Sequence, residues 1–130
     1  MPKVMKDEAS HGFSQVAQES SSLLILNAVG ELFNHYDGGW PLWSGNGDRI
    51  LKVPFKFDLE FKEAPLVLVT LSGIDADSNT NLRYEIKAEN ISPLGFEAVF
   101  VTWNDSKFAR GSISWTAIGE KKLPLIEVYK

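Results

Sequence analysis

The 130-residue chain contains no cysteine, which excludes a disulfide framework and any metal site built from thiolates. It has no apolar window long enough to cross a bilayer, and its first residues do not resemble a secretory leader. It also has no run of basic residues, and 13 Lys and Arg stand against 17 Asp and Glu. Binding to a phosphate backbone requires a basic excess, so no nucleic-acid partner is predicted. We expect a protein without membrane insertion that is cytoplasmic or released by a route that the sequence does not show.

Residues that commonly carry catalysis are also scarce. His11 and His35 are the two histidines, which is too few nitrogen ligands for a zinc site, and both are expected at the surface. The sequence has no Gly-rich phosphate loop and no Gly-x-Ser-x-Gly elbow. Aspartates occur in several predicted loops, but no spacing places two of them across a cleft as glycoside hydrolysis requires. We therefore predict no enzymatic activity and no catalytic residue.

Residues 75–81 begin with the alternating oxygen donors of a calcium-binding loop. An EF-hand loop needs glycine at its sixth position and glutamate at its twelfth, where this chain has Thr80 and Ile86. We interpret the stretch as a turn between strands in which Asx side chains bond to their own backbone. A calcium site of another kind at Asp75 and Asp77 stays open, and no other cofactor is expected.

The remaining composition is that of one globular domain, with 44% hydrophobic residues. Residues 1–22 are polar and are predicted to form an N-terminal arm, poorly ordered unless it docks on a neighbour. Residues 23–130 are predicted to form a single β-sandwich domain. Its first apolar segment, residues 23–33, could be a strand or a short helix, because periodicity does not decide between them.

Later segments have the period of β-strands. Residues 49–61 alternate apolar and charged side chains, which predicts a strand with one buried face, and Pro54 indicates an edge or a bulge. The apolar run at residues 65–71 predicts a strand buried on both faces. Further alternating segments lie at residues 82–89, 96–101 and 112–117. Several short strands without a long helical pattern predict an antiparallel sandwich or barrel.

An ordered series of motifs between residues 45 and 119 resembles the H-type lectin domain. The motifs are Pro65-Leu66-Val67, Leu71-Ser72-Gly73-Ile74-Asp75, Asn81-Leu82-Arg83, Ser92-Pro93-Leu94-Gly95-Phe96, Thr102-Trp103-Asn104 with Lys107, and residues 112–118. The resemblance implies an all-β fold, namely a six-stranded antiparallel β-sandwich, assembled as a homotrimer or as a hexamer of two trimers. It also implies metal-free binding of N-acetylgalactosamine or galactose at the seam between protomers, for recognition or adhesion.

The resemblance also implies which residues bind the sugar. They are Asn46, Asp48, Arg83, Trp103, Asn104 and Ala109. A gapless match gives the family's acidic position to Asn46, and Asp48 is the acid nearest to it. Asn104 stands where the family often has histidine, and Ala109 stands where it has an aromatic residue. Trp103, Asn104 and Ala109 would come from the partner protomer.

The chemistry of two of these residues suits a galactose-type sugar. An indole ring offers a platform for the apolar face of the sugar, and a guanidinium offers planar donors for its hydroxyls. The alternative for Arg83 is a surface ion pair with Glu85 or Glu97, and the alternative for Trp103 is packing in the core. Trp115 alternates with serines and is predicted to be a core residue. The rival function is a trimeric assembly module, such as the base of a spike or fibre, without a sugar site.

Overall fold

The structure, a computed structural model, describes residues 3–6, 12–34 and 41–123. Its elements are β1 (Lys3–Lys6), β2 (Val16–Glu19), β3 (Leu23–Asn34), α1 (Pro41–Ser44), β4 (Arg49–Lys56), β5 (Leu66–Ala76), β6 (Tyr84–Ser92), β7 (Gly95–Thr102) and β8 (Phe108–Glu120). His11, His35 and Trp40 lie outside the described residues. No helix in the described ranges is long and apolar enough to cross a membrane.

The strands form two four-stranded sheets. The first sheet has the order β1-β4-β7-β6 and the second has the order β2-β3-β8-β5. Every pairing within them is antiparallel except that of β1 with β4, which is parallel. The predicted all-β antiparallel sandwich is therefore confirmed, and residues 23–33, left open above, belong to strand β3.

The predicted number of six strands is wrong for the described chain, which has eight. Six long strands, β3 to β8, form the sandwich, and the four-residue strands β1 and β2 extend one edge of each sheet. Both short strands lie within the segment predicted as a polar arm. All four residues of β2 are exposed, so they carry no alternation of buried and exposed positions that a sequence could reveal.

The N-terminal segment also contacts the sandwich through side chains. The Phe13 ring is buried and packs edge-on against Phe55, with ring centroids 4.8 Å apart. The Gln15 amide donates to the Lys56 carbonyl at 2.7 Å and accepts from the Asp58 amide at 2.9 Å. Part of the predicted arm is thus docked on the domain, and the division at residue 22 stays a prediction.

The core lies between the two sheets and is centred on Trp115, as predicted. Trp115 is completely buried, and its ring contacts Phe55, Phe57 and Phe96 at centroid distances of 5.8, 5.8 and 5.2 Å. Its indole nitrogen has no hydrogen-bond partner among the described residues. Inward-facing positions of each strand supply this aromatic cluster, because side chains alternate between the faces of a strand.

Strand β4 is shorter than its pattern predicts. Apolar residues alternate to Phe61, but the strand ends at Lys56. The Phe57 amide then donates to the Leu94 carbonyl at 2.9 Å, outside the sheet ladder, while the rings of Phe57 and Phe61 stay buried. Pro54 occupies the predicted edge position, since β1 ends opposite Lys52 and β7 is the described strand that pairs with Pro54.

Strand β5 is not buried on both faces in the single chain, contrary to the prediction. Val67 faces the core, whereas Leu66 and Leu68 are 60% and 50% exposed. These leucines belong to what we call the outer apolar face of the second sheet. Its members are Val16, Leu23, Ile25, Val29, Leu66, Leu68 and Ile118, which the register places on the side away from the first sheet. No described element of the chain covers this face.

Candidate functional site

The predicted site residues meet at one end of the sandwich because of the register of the first sheet. Arg49 of β4 and Tyr84 of β6 both pair with Thr102 of β7. The segments that adjoin this row are residues 45–48 before β4, residues 81–83 before β6 and residues 103–107 after β7. Segments far apart in sequence, each carrying predicted site residues, therefore adjoin one another at what we call the loop end.

A residue that the sequence reasoning missed joins two of these segments. Arg49 is completely buried. Its guanidinium donates to the carbonyls of Gly47 (Nε, 3.0 Å) and Leu42 (Nη1, 3.3 Å). Its Nη2 atom donates to the carbonyls of Asn104 (3.2 Å) and Ser106 (2.9 Å). Burial lowers the pKa of Arg49, but arginine stays protonated in proteins, so it presents charged donors to both loops.

A signal in the sequence could have revealed Arg49. Leu51, Val53 and Phe55 are buried, and Arg49 lies two residues before Leu51, in the same phase of the strand. Side chains in one phase share a face, so the alternation itself places this arginine inward. A charged residue in the buried phase must find hydrogen-bond partners there.

Two buried hydroxyls join the third segment. The Ser106 hydroxyl accepts from the Arg83 amide at 2.9 Å and donates to the Asn81 carbonyl. The Thr102 hydroxyl donates to the Arg83 carbonyl at 2.6 Å. Arg49, Thr102 and Ser106 are the fully buried polar or charged residues of the described chain. All three lie at the loop end.

The predicted sugar-binding residues differ in exposure. Asn46, Asp48, Arg83 and Asn104 are exposed. Trp103 is half-buried and lies outside the hydrophobic core cluster. These are the residues that a ligand at the loop end could reach.

The alternatives considered for Arg83 and Trp103 have little support in this geometry. Arg83 forms no ion pair with Glu85, with Glu97 or with any other carboxylate of residues 12–34 and 41–123. Trp103 contacts none of the core rings of that part of the chain, unlike Trp115. Both side chains therefore have surface left for an outside partner.

Ala109 is 5% exposed, so its methyl group is nearly enclosed within one chain. The neighbouring Phe108 does not replace the family's aromatic residue there. Its ring is completely buried and packs edge-on against Phe100, with centroids 5.2 Å apart. The loop end consequently lacks an aromatic side chain at this position, and a role for Ala109 in binding stays a prediction.

The turn at residues 75–81 has the interpreted Asx geometry. The Asp77 carboxylate accepts from the Asn79 amide at 2.9 Å, and the Asp77 amide donates to the Lys107 carbonyl at 3.0 Å. Within the described ranges, no three His, Cys, Asp or Glu side chains gather as metal ligands do. A calcium site at Asp75 and Asp77 stays a prediction.

Comparison with known families decides the identity of the fold. A family model described as the H-type lectin domain matches residues 52–118, just over half of the chain. The chain belongs to the H-type lectin domain family. Its membership identifies a carbohydrate-binding lectin domain. The matched region includes Arg83, Trp103, Asn104 and Ala109 and begins after the loop that carries Asn46.

Individual relatives agree with this assignment. The chain is 44% identical over 88 residues to a protein of Fuscovulum blasticum named "ATP synthase subunits region ORF 7", across 68% of this chain and 76% of the relative. It is 37% identical over 70 residues to discoidin-2 of Dictyostelium discoideum, across 53% of this chain and 27% of that protein.

A solved structure gives the same result in three dimensions. Discoidin II of Dictyostelium discoideum superimposes with a TM-score of 0.66 at 25% identity, covering 81% of this chain and 40% of the discoidin chain. The chain therefore spans well under half the length of the discoidins that it matches. Their likeness supports the two-sheet lectin domain, and what a whole discoidin does is not carried over to this chain.

Proposed function

We propose that this lectin binds terminal N-acetylgalactosamine or galactose at the loop end, and that it does so as a homotrimer. The observation that carries the proposal is that the loop end of each chain presents both halves of such a seam site, Arg83 and Trp103, on adjoining segments. Trp103 directly follows Thr102, whose hydroxyl donates to the Arg83 carbonyl at 2.6 Å. The half-buried indole offers a flat apolar surface, and the exposed guanidinium beside that segment has free donors.

The sugar's hydroxyls also need acceptors, and the loop before β4 supplies them. Asn46 and Asp48 are exposed there, and the Gly47 amide between them donates to the Asn104 carbonyl at 2.9 Å. An amide or carboxylate oxygen suits hydroxyl donors of the sugar ring. In the proposed seam site, Asn46, Asp48 and Arg83 of one protomer face the partner's segment that begins with Trp103 and includes Asn104.

The outer apolar face supports assembly into a homotrimer. Val29, Leu66 and Leu68 are 56%, 60% and 50% exposed and lie on one side of the second sheet. Isolated exposed apolar residues are ordinary, but a contiguous array marks an interaction surface. Asn27 lies within this face, and its amide donates to the Thr116 hydroxyl at 3.0 Å and the Trp115 carbonyl at 2.9 Å. The face could thus be covered by other protomers without leaving that amide unbonded.

Assembly would also make a weak site useful. A single monosaccharide on an open surface gains little net free energy, because few of its atoms are buried. Several sites held at fixed separations gain by effective concentration when a surface displays many copies of the sugar. We therefore propose recognition or adhesion to glycan-bearing surfaces as the role.

A glycan array tests the proposal directly. The wild-type trimer should select glycans that end in N-acetylgalactosamine or galactose, and the same glycans should be bound after a chelator is added. Arg83→Ala and Trp103→Ala should abolish this binding without dissociating the trimer. Lys87→Ala, at an exposed position of strand β6, which follows the Arg83 segment, is the matched control and should bind as wild type does. Binding that survives both substitutions would refute the site.

A second candidate function rests on the enclosed methyl group of Ala109. Without an aromatic residue at this position, one wall of the proposed site is reduced, whereas the outer apolar face is intact. A trimeric assembly module would require the outer apolar face but would not require a complete sugar site. A well-folded trimer that binds nothing on the array would favour this function over the lectin proposal.

A further inference from the structure

We propose that Arg49, Thr102 and Ser106 are positioning residues of the sugar site, and that they couple closure of its loops to sugar affinity. The inference rests on the proposed function, since it concerns the same site. It adds that none of the three side chains touches the sugar. They act by holding the exposed residues Asn46 and Arg83 in the geometry that binding requires.

The distribution of buried polar side chains is the first support. The core is otherwise apolar, and a buried polar group is costly unless it is hydrogen-bonded. All three fully buried polar or charged residues of the described chain nevertheless lie in or next to one row of the first sheet. The opposite end of the first sheet, around Ser92 and Gly95, has no fully buried polar side chain among the described residues. The cluster therefore marks the loop end as the place where backbone groups outside the ladders are held by fully buried side chains.

The connectivity of the cluster is the second support. Arg49 bonds to the carbonyl of Gly47 in the first loop and to the carbonyls of Asn104 and Ser106 in the second. The Ser106 hydroxyl continues the chain of bonds to Arg83 and the segment before β6. The three segments that carry the predicted sugar-binding residues are thus linked in series. Breaking one link loosens the attachment of one loop to the others.

The position of the links explains why affinity should respond. If the sugar binds only when the loops are closed, the apparent dissociation constant equals the intrinsic one divided by the closed fraction. A purely structural cluster would change global stability and leave the affinity of the folded protein unchanged. The two roles are therefore separable by experiment.

A matched pair of serines provides that experiment. Ser106 and Ser92 each accept one backbone amide and donate to one backbone carbonyl, at opposite ends of the first sheet. The Ser92 hydroxyl accepts from the Leu94 amide at 3.2 Å and donates to the Gly95 carbonyl at 3.4 Å. Ser106→Ala and Ser92→Ala thus each remove one accepted and one donated bond, from a fully buried and a half-buried hydroxyl respectively. Binding of N-acetylgalactosamine to each folded trimer is measured by titration calorimetry, and hydrogen exchange of the Gly47 amide by NMR.

Ser106→Ala should weaken sugar affinity about tenfold, because the Arg83 amide and the Asn81 carbonyl lose their side-chain partner. The Gly47 amide, which lies in the neighbouring loop and does not bond to the Ser106 hydroxyl, should exchange faster by a similar factor, and saturating sugar should restore its protection. Ser92→Ala should change neither. Equal affinity in Ser106→Ala and wild type would overturn the inference, as would an equal loss in Ser92→Ala.

Thr102→Val is the second variant and keeps the test valid if Ser106→Ala does not assemble. It preserves the side-chain shape and removes the donor to the Arg83 carbonyl, so the same loss of affinity is expected. A wild-type protein that binds no galactose-type sugar would overturn the proposed function and this inference together. Sugar binding by wild type that neither variant weakens would overturn the positioning role alone.

Discussion

Replacing Leu68 by glutamate tests whether the outer apolar face is the surface through which protomers assemble. Leu68 lies on strand β5, opposite Thr116 of β8, and Thr116 in turn lies opposite the bonded Asn27 of β3. In the single chain, Leu68 is 50% exposed. In a trimer built on this face, the exposed half would be buried against another protomer.

The magnitude follows from this exposure. Full burial of a leucine side chain stabilises by about 1.5–3 kcal/mol, so the remaining half of Leu68 contributes about 1 kcal/mol per protomer and about 3 kcal/mol per trimer. Glutamate removes this contribution and places a carboxylate in an apolar contact, at a cost of several kcal/mol per ion. The three copies together should destabilise the trimer by more than about 10 kcal/mol. Leu68→Glu is therefore expected to be a monomer at micromolar concentration.

Sedimentation equilibrium measures the change, and Leu94→Glu is the matched control. Leu94 is 55% exposed in the turn between β6 and β7, away from the outer apolar face, so this variant should remain trimeric. Circular dichroism should show that both variants keep the β-sandwich. A trimeric Leu68→Glu protein, or a monomeric wild type, would refute the assignment of this face to assembly.

Substitutions at three further positions should lower the stability of the fold. Arg49→Met fills the space of the arginine stem but removes the guanidinium donors from four loop-end carbonyls, so urea unfolding should show a loss of about 3 kcal/mol or more. A loss below about 1 kcal/mol would mean that water replaces the guanidinium. Gly95→Ala would put a Cβ 2.1 Å from the Phe55 carbonyl oxygen, and Gly111→Ala would put one 2.6 Å from the Phe33 ring. The Phe33 ring can relieve its contact by rotating, whereas the Phe55 carbonyl can move only if its strand moves too. Gly95→Ala should therefore lower the melting temperature more than Gly111→Ala does. The reverse order would contradict this reasoning.

Much of the fold could be predicted because the alternation of apolar and polar residues along a long strand shows which of its faces is buried. Alternation placed Trp115 in the core and identified the inward face of β4. The same rule failed where a face is decided by something beyond the strand. Leu66 and Leu68 read as buried because the run is apolar on both sides, and the single chain leaves one side exposed. An apolar pattern predicts that a face is buried, but it does not show whether the same chain or another protomer packs against that face.

The site was predictable only through the family resemblance, since the residues have no common spacing. Arg83 and Trp103 adjoin because strands β6 and β7 pair with Tyr84 opposite Thr102. The sequence of either strand alone does not determine this register. Edge strand β1 was missed for a related reason. It pairs with β4 through backbone groups, which every residue carries.

The outer apolar face and the half-buried Trp103 bear on the same question, namely whether one chain holds a complete site. The two arrangements, a site within one chain and a site at the seam, predict different sugar affinities for a monomer. If all sugar contacts came from one protomer, monomeric Leu68→Glu would keep the intrinsic affinity for a single sugar and lose only the gain from multivalency. If Trp103 and Asn104 act on the partner's Arg83, the monomer has half a site and binds no sugar at any concentration. A monovalent titration of this variant therefore separates the two arrangements, because it removes assembly without altering any residue of the loop end.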